Sequence, residues 1–219
     1  MTVRRRSNPL ALAVIGLLYE RPMHPYEMAA TLRERRKEES IKLNYGSLYS
    51  VVQSLEKQGL IVTQETRKDG RRPERTVYGL TERGRVELLD WLSELVSIPA
   101  REFTQFEAAL SLMPYLGPDQ ALRMLLERAR RLETELVGSQ AVLEQAGEVK
   151  LPRLMVVEYE YRLALRRTEL GFVNALIRDI ADGSLEGIDA WRRLHDSLEA
   201  GTRPDIEGEV RSWNAGRPS

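Results

Sequence analysis

A mainly α-helical fold, interrupted once by a short β-hairpin, is what the 219 residues predict. Three observations carry that prediction. Asn8–Pro9 and His24–Pro25 each set a polar residue before a proline, the arrangement that suits a helix start. Asp69–Gly70 sits between two β-prone stretches and is the strongest short hairpin signal. Beyond Pro99, two long stretches repeat apolar residues at helical spacing and contain little else that could pack.

The first half divides into short elements. Asn8 and Pro9 open a helix that reaches Glu20, with Leu10, Leu12, Ala13, Val14, Leu17 and Leu18 on a wide apolar face. Pro22 ends it. A second helix runs from Tyr26 to about Arg36, with Tyr26, Met28, Ala29 and Leu32 as its apolar positions. Asn44 caps a third, Tyr45 to Gln58, whose Leu48, Val51, Val52 and Leu55 follow the i, i+3, i+4, i+7 rule. Its other side carries Tyr45, Ser47, Tyr49, Ser50 and Gln53. Such small, polar and aromatic side chains can approach phosphates and base edges. Gly46 in the first turn lets the backbone come close to a partner. Gly59 closes the helix in the left-handed conformation that glycine favours.

Leu60 to Glu65 is the outgoing strand and Thr76 to Tyr78 the return. The arm between them holds Arg67, Lys68, Arg71, Arg72 and Arg75. Pro73 cannot donate a ladder bond, so the arm is a free edge. Arginines clustered on a hairpin repel one another unless an anion lies between them. Thr81 then caps a fourth helix to about Val96, with Leu88, Leu89, Leu92 and Leu95 expected in the core and Trp91 beside them. Three helices, a two-stranded wing and a connecting helix describe a winged helix-turn-helix domain over residues 1–98.

Charge follows the same division. The chain balances 33 basic against 33 acidic side chains. Residues 1–98 carry 17 basic and 13 acidic, a net of +4, and the remainder is −4. The first part is the candidate for a polyanion and the second for self-association.

Residues 99–183 form the predicted long-helix domain. A short helix from Phe103 to Met113 precedes one capped by Asp119 that runs to about Ala146. Its stripe is Leu122, Leu125, Ala129, Leu132, Leu136 and Leu143. Pro152 starts another, to about Ala181, with Leu154, Val157, Tyr161, Ala164, Thr168, Phe172, Ala175 and Ile180 aligned. Helices of roughly 30 residues span over 40 Å, more than this chain alone can cover, so pairing with a second copy is expected. Phe103, Phe106, Met113 and Tyr161 are candidates for a small-molecule effector pocket, against the simpler reading of core and interface packing. Residues 184–219 are expected to hold a short helix, Leu185 to Leu198, and a flexible tail.

The residues in the first half resemble the PadR family of bacterial transcriptional regulators. The matching stretches are Leu12–Leu18, His24-Pro25-Tyr26-Glu27-Met28, Gly46-Ser47-Leu48-Tyr49 with Leu55–Ile61, and Gly70-Arg71-Arg72-Pro73 leading to Tyr78–Gly84. They occur in the family's order from Leu10 to Arg85. Pro25 stands where the family often has Gly, and Ser47 where Thr is common. The resemblance implies a dimeric DNA-binding repressor, often responsive to a small molecule, that recognises a pseudo-palindromic operator in double-stranded DNA. Tyr45, Gly46, Ser47, Tyr49, Ser50 and Gln53 would then meet the major groove. Lys68, Arg71, Arg72 and Arg75 would hold phosphates or enter the adjacent minor groove. The alternative is a winged-helix protein-interaction module that no longer binds DNA, and the basic wing argues against it.

Enzyme chemistry has no foothold. The chain has no cysteine, no nucleophile-elbow, Walker or dinucleotide glycine motif, and only His24 and His195 as imidazoles. His195, Asp196 and Ser197 are neighbours on an expected helix, where consecutive side chains diverge. No cofactor, no metal and no membrane span are expected, since no apolar run nears about 18 residues. A cytoplasmic homodimer is the expectation.

Overall fold

The computed structural model of the chain describes residues 8–67, 75–202 and Gly208, and parts into two compact units at Glu102/Phe103. The first unit contains α1 (Pro9–Glu20), α2 (Pro25–Glu34), α3 (Tyr45–Lys57), β1 (Ile61–Arg67), β2 (Arg75–Leu80) and α4 (Glu82–Ser97). The second contains α5 (Gln105–Ser111), α6 (Pro118–Glu148), α7 (Val157–Ala181) and α8 (Ile188–Glu199).

Local capping places the helices of the first unit. Asn8 Oδ1 accepts from the Leu10 N–H at 3.1 Å, and His24 Nδ1 accepts from the Tyr26 N–H at 3.0 Å. Each satisfies a donor that the first helical turn leaves unpaired. α2 stops at Glu34, two residues short of the expected end, because Arg36 takes a left-handed φ of 52° and a short 3-10 turn over Lys37–Glu39 follows. The core joins Leu10, Val14, Ile15 and Leu18 of α1 to Met28 and Leu32 of α2 and to Leu48, Val52 and Leu55 of α3.

The wing is one antiparallel pair, Ile61 opposite Leu80 and Arg67 opposite Arg75, with a bulge between Thr63 and Glu65. Met23, in the link between α1 and α2, exchanges two backbone hydrogen bonds with Tyr78, each 3.0 Å. That bridge ties the wing to the helices. A second tie lies at the end of α3. Thr81 Oγ1 donates toward the Gly59 and Leu60 carbonyls at 2.9 Å and accepts from the Gly84 N–H at 3.0 Å. Gly84 must lack a side chain there: a Cβ would stand 3.0 Å from the Leu60 carbonyl carbon and closer still to its oxygen.

Expectations about helix starts and packing are corrected in several places. On α4 only Leu88 and Trp91 are buried large residues, whereas Leu89, Leu92 and Leu95 are exposed. Leu92 and Leu95 continue the Leu88–Trp91 stripe toward the end of α4, past Trp91, its last residue in the core, and Leu89 lies about a quarter-turn aside. On α6 the N-cap is Gly117, with Pro118 first and Asp119 in the first turn, where its charge suits the helix dipole instead of capping. The last long helix begins at Val157 and not at Pro152: Pro152 is extended at ψ 138°, and a 3-10 turn over Arg153–Met155 comes first.

The core of the second unit is Ala121, Leu125, Ala129 and Leu132 of α6 against Val173 and Ile180 of α7, closed by Ile188 and Trp191 of α8. The Trp191 indole N–H donates to the Leu116 carbonyl at 2.7 Å. α8 is therefore an integral part of that core. The stripe expected to be buried on α7 is instead mostly exposed, at Leu154, Val157, Tyr161 and Phe172. Tyr159, Leu163, Val173 and Ile180 form the face turned to the rest of the chain. Two residues out of step is about half a turn, so the two faces are nearly opposite.

Candidate nucleic-acid interface

α3 is built to show one side. Asn44 Oδ1 accepts from the Ser47 N–H at 2.7 Å, which fixes the helix start. Leu48, Val51, Val52 and Leu55 are buried, and Tyr45, Ser47, Tyr49, Ser50 and Gln53 are all exposed on the other sides. Gly46 is exposed too, and among the described residues the nearest atom to a built Cβ is Asn44 Oδ1 at 3.7 Å. Ser50 spends its hydroxyl proton on the Gly46 carbonyl at 3.0 Å, so toward a partner it offers lone pairs only.

The wing leaves the far end of α3. Thr63 Oγ1 donates to Glu56 Oε1 at 2.7 Å, tying β1 to α3. Tyr78 is half-buried on β2. Desolvation pushes its phenol pKa up, helped by the Glu56 charge, so the phenol stays neutral. Lys68, Arg71 and Arg72, the expected tip, lie outside the described residues. Arg75 pairs with Arg67 at the last described rung, by backbone register.

Two side chains join this surface that the sequence reading did not select. Tyr26 of α2 stacks on Tyr45, ring centroids 6.3 Å apart and planes within 14°. Arg33, also on α2, lies 4.6 Å above the Tyr45 ring and its Nη1 donates to the Tyr45 hydroxyl at 2.6 Å. That bond is the main reason its guanidinium pKa is raised further. Tyr26, Ala30 and Arg33 fall at i, i+4 and i+7, opposite the buried Met28, Ala29 and Leu32. That exposed aromatic–cation spacing was the available signal.

The effector candidates separate. Phe106 and Met113 line one apolar cavity of about 200 Å³ in the second unit, with Leu110, Leu125, Met124 and Arg128. Arg128 lies 3.6 Å above the Phe106 ring and its Nε donates to Glu169 at 2.8 Å. Phe103 precedes α5 and is 80% exposed, and Tyr161 is on the outer side of α7; neither lines this cavity. Among the described residues no cluster of His, Asp and Glu could hold a metal ion, and no helix is long and apolar enough to cross a membrane.

A three-helix core with a helix that shows a polar side and a two-stranded wing at its end defines the winged helix-turn-helix class. Residues 14–90 match the model of the transcriptional regulator PadR-like family. The family's proteins are regulators, not enzymes. No curated protein matches the chain. Among solved structures, PadR of Bacillus subtilis in complex with operator DNA is similar at 19% identity and a TM-score of 0.60, covering 79% of this chain and 99% of that one. The same protein in complex with p-coumaric acid gives 18% and 0.63, covering 78% and 98%. The Vibrio cholerae virulence activator AphA gives 16% and 0.61, covering 79% and 98%. These likenesses extend the shared fold well past residue 90.

Proposed function

We propose that the chain is a dimeric, sequence-specific DNA-binding regulator that represses transcription from a pseudo-palindromic operator and responds to a small molecule. The observation that carries this reading is the exposed side of α3, Tyr45 to Gln53, capped by Asn44 and flanked by the wing. A helix whose first turns carry Tyr, Gly, Ser and Tyr can lie in a major groove while the wing follows the phosphates. The similarity to a PadR structure holding operator DNA supports the same use of the fold. Lys68, Arg71, Arg72 and Arg75 serve as phosphate contacts in this reading.

Dimerisation belongs to the residues after Glu102. The exposed side of α7 presents Val157, Tyr161, Leu165 and Phe172 to solvent, with Leu154 in the turn before it, the kind of apolar surface that soluble monomers usually cover. A two-fold dimer covers it and fixes the spacing of two recognition helices. The cavity beside Phe106 and Met113 is the place assigned to the effector, in keeping with the small-molecule complex of the similar PadR. A regulator of this kind works in the cytoplasm.

The deciding experiment is a gel shift of duplex DNA across salt concentrations, joined to a run-off transcription assay. Affinity should fall steeply as salt rises, because phosphate neutralisation releases counterions, and transcripts from a bound promoter should decline. A flat salt response refutes DNA binding and favours the protein-interaction module. A rise in transcripts makes the protein an activator.

A further inference from the structure

The geometry points to Arg33 of α2 as a phosphate ligand of the interface, held ready by Tyr45, whose own task is to position Arg33 and not to read a base. This rests on the DNA-binding reading above and adds a residue and a role to it. In a helix-turn-helix the helix before the recognition helix crosses the sugar–phosphate backbone. α2 stands in that place, and its exposed line Tyr26, Ala30, Arg33 is the side that meets the start of α3.

Tyr45 is not free to turn toward a base edge. Its ring stacks with Tyr26 and lies under the Arg33 guanidinium, and its hydroxyl oxygen accepts from Arg33 Nη1 at 2.6 Å. The Arg33 guanidinium, by contrast, keeps donors to spare. Its one carboxylate neighbour among the described residues is Glu38, with 3.7 Å between Nε and Oε2, too long for a hydrogen bond. Among the described residues nothing bonds the other terminal nitrogen, Nη2, which is open to a phosphate oxygen. A planar guanidinium already stacked and bonded loses less freedom on meeting a phosphate than a loose side chain does. The exposed Tyr26 ring backs the stack.

The test uses the full chain, with duplexes of about three helical turns selected by the wild-type protein from a random library, and scrambled duplexes of equal length. Arg33→Ala should weaken both kinds of DNA about tenfold per protomer engaged and lower the log–log salt slope by about 1 per protomer. Arg33→Lys, which keeps the charge, should restore the slope. Tyr45→Phe keeps the ring but removes the acceptor; it should cost about threefold, with the salt slope and the ranking of base-substituted duplexes both as in wild type. Thermal melts of all three should match wild type, since the side chains are at the surface. An unchanged slope in Arg33→Ala overturns the assignment, and an altered base ranking in Tyr45→Phe makes Tyr45 a base reader. If wild-type protein itself shows no salt-dependent binding, the DNA reading fails first, and that result is distinct from either.

Discussion

Alanine at Gly84 and alanine at Gly138 are the same substitution in the middle or first turns of a helix, and the structure gives them opposite signs. Alanine is favoured over glycine in a helix by about 0.5–1 kcal/mol. At Gly138 nothing lies within 4 Å of a built Cβ, so Gly138→Ala should stabilise α6 by about that amount. At Gly84 the Cβ meets the Leu60 carbonyl, with its carbon at 3.0 Å and its oxygen nearer. Overpacking of this kind costs about 1–3 kcal/mol. The carbonyl cannot step aside cheaply, because it accepts from the Thr81 N–H at 3.1 Å and from Thr81 Oγ1 at 2.9 Å. Losing those bonds adds about 0.5–1.5 kcal/mol each. Taken near the middle of these ranges and set against the helix gain, Gly84→Ala should cost about 2–4 kcal/mol. Native-state hydrogen exchange reads the two units separately. Amides of α1 in Gly84→Ala should exchange about 30- to 1000-fold faster, those of α6 at the wild-type rate. Gly138→Ala should slow α6 alone. The same junction holds the wing to the end of α3, so DNA affinity should fall with Gly84→Ala. Wild-type exchange in α1 of that variant would show that the Thr81–Leu60 contact yields without cost, and the reasoning would be wrong.

The other expected outcomes are simpler. Arg71→Ala with Arg72→Ala should weaken operator and scrambled DNA alike, whereas Ser47→Ala or Gln53→Ala should change the preference among base-substituted operators; unchanged affinity of the wing double variant at several salt concentrations would refute the hairpin's role. A chain ended at Ser97 should sediment as a monomer and keep only weak, non-specific affinity, and full-length protein should sediment as a dimer at micromolar concentration. A full-length monomer that still bound a palindrome tightly would defeat the dimer reading. Hydrogen bonds and charge from Arg130 and Arg131 lower the Glu127 carboxyl to about 2. A lowered carboxylate stabilises the fold above its ordinary titration range, and the contribution is lost as pH falls to about 2. A carboxyl titration followed by NMR should find Glu127 ionised well below the other exposed glutamates, and a value in the ordinary glutamate range would contradict the Arg130 and Arg131 contacts.

What the sequence made legible was whatever depends on near neighbours. The caps at Asn8, His24, Asn44 and Thr81 all form, because a side chain that reaches back two or three residues needs no tertiary partner. The left-handed Gly59 and the polar outer side of α3 follow from the same local chemistry. The stack of Tyr26, Tyr45 and Arg33 was not legible, since it depends on how two helices separated by a turn are packed. Nor was the exposure of Leu89, Leu92 and Leu95: an apolar residue at helical spacing announces a face, not what covers it.

α7 makes that distinction sharpest. One apolar series runs through Tyr159, Leu163, Leu170, Val173, Ile177 and Ile180, and these are buried or half-buried against the rest of the second unit. The other runs through Val157, Tyr161, Leu165 and Phe172, at exposures from 48% to 67%. Both have the spacing of a buried stripe, and periodicity alone cannot rank them. The first is interleaved with Arg166 and Glu169, which hold α7 by ion pairs to Glu135 and Arg128 of α6; the α6–α7 pairing is thus specified by charge as well as by apolar contact. The second stripe carries two aromatic rings, Tyr161 and Phe172, against the single Tyr159 of the first. A helix with one stripe would need one neighbour. With two nearly opposite stripes, α7 can satisfy only one within its own chain, and the solvent left on the other is the physical reason to expect a second copy.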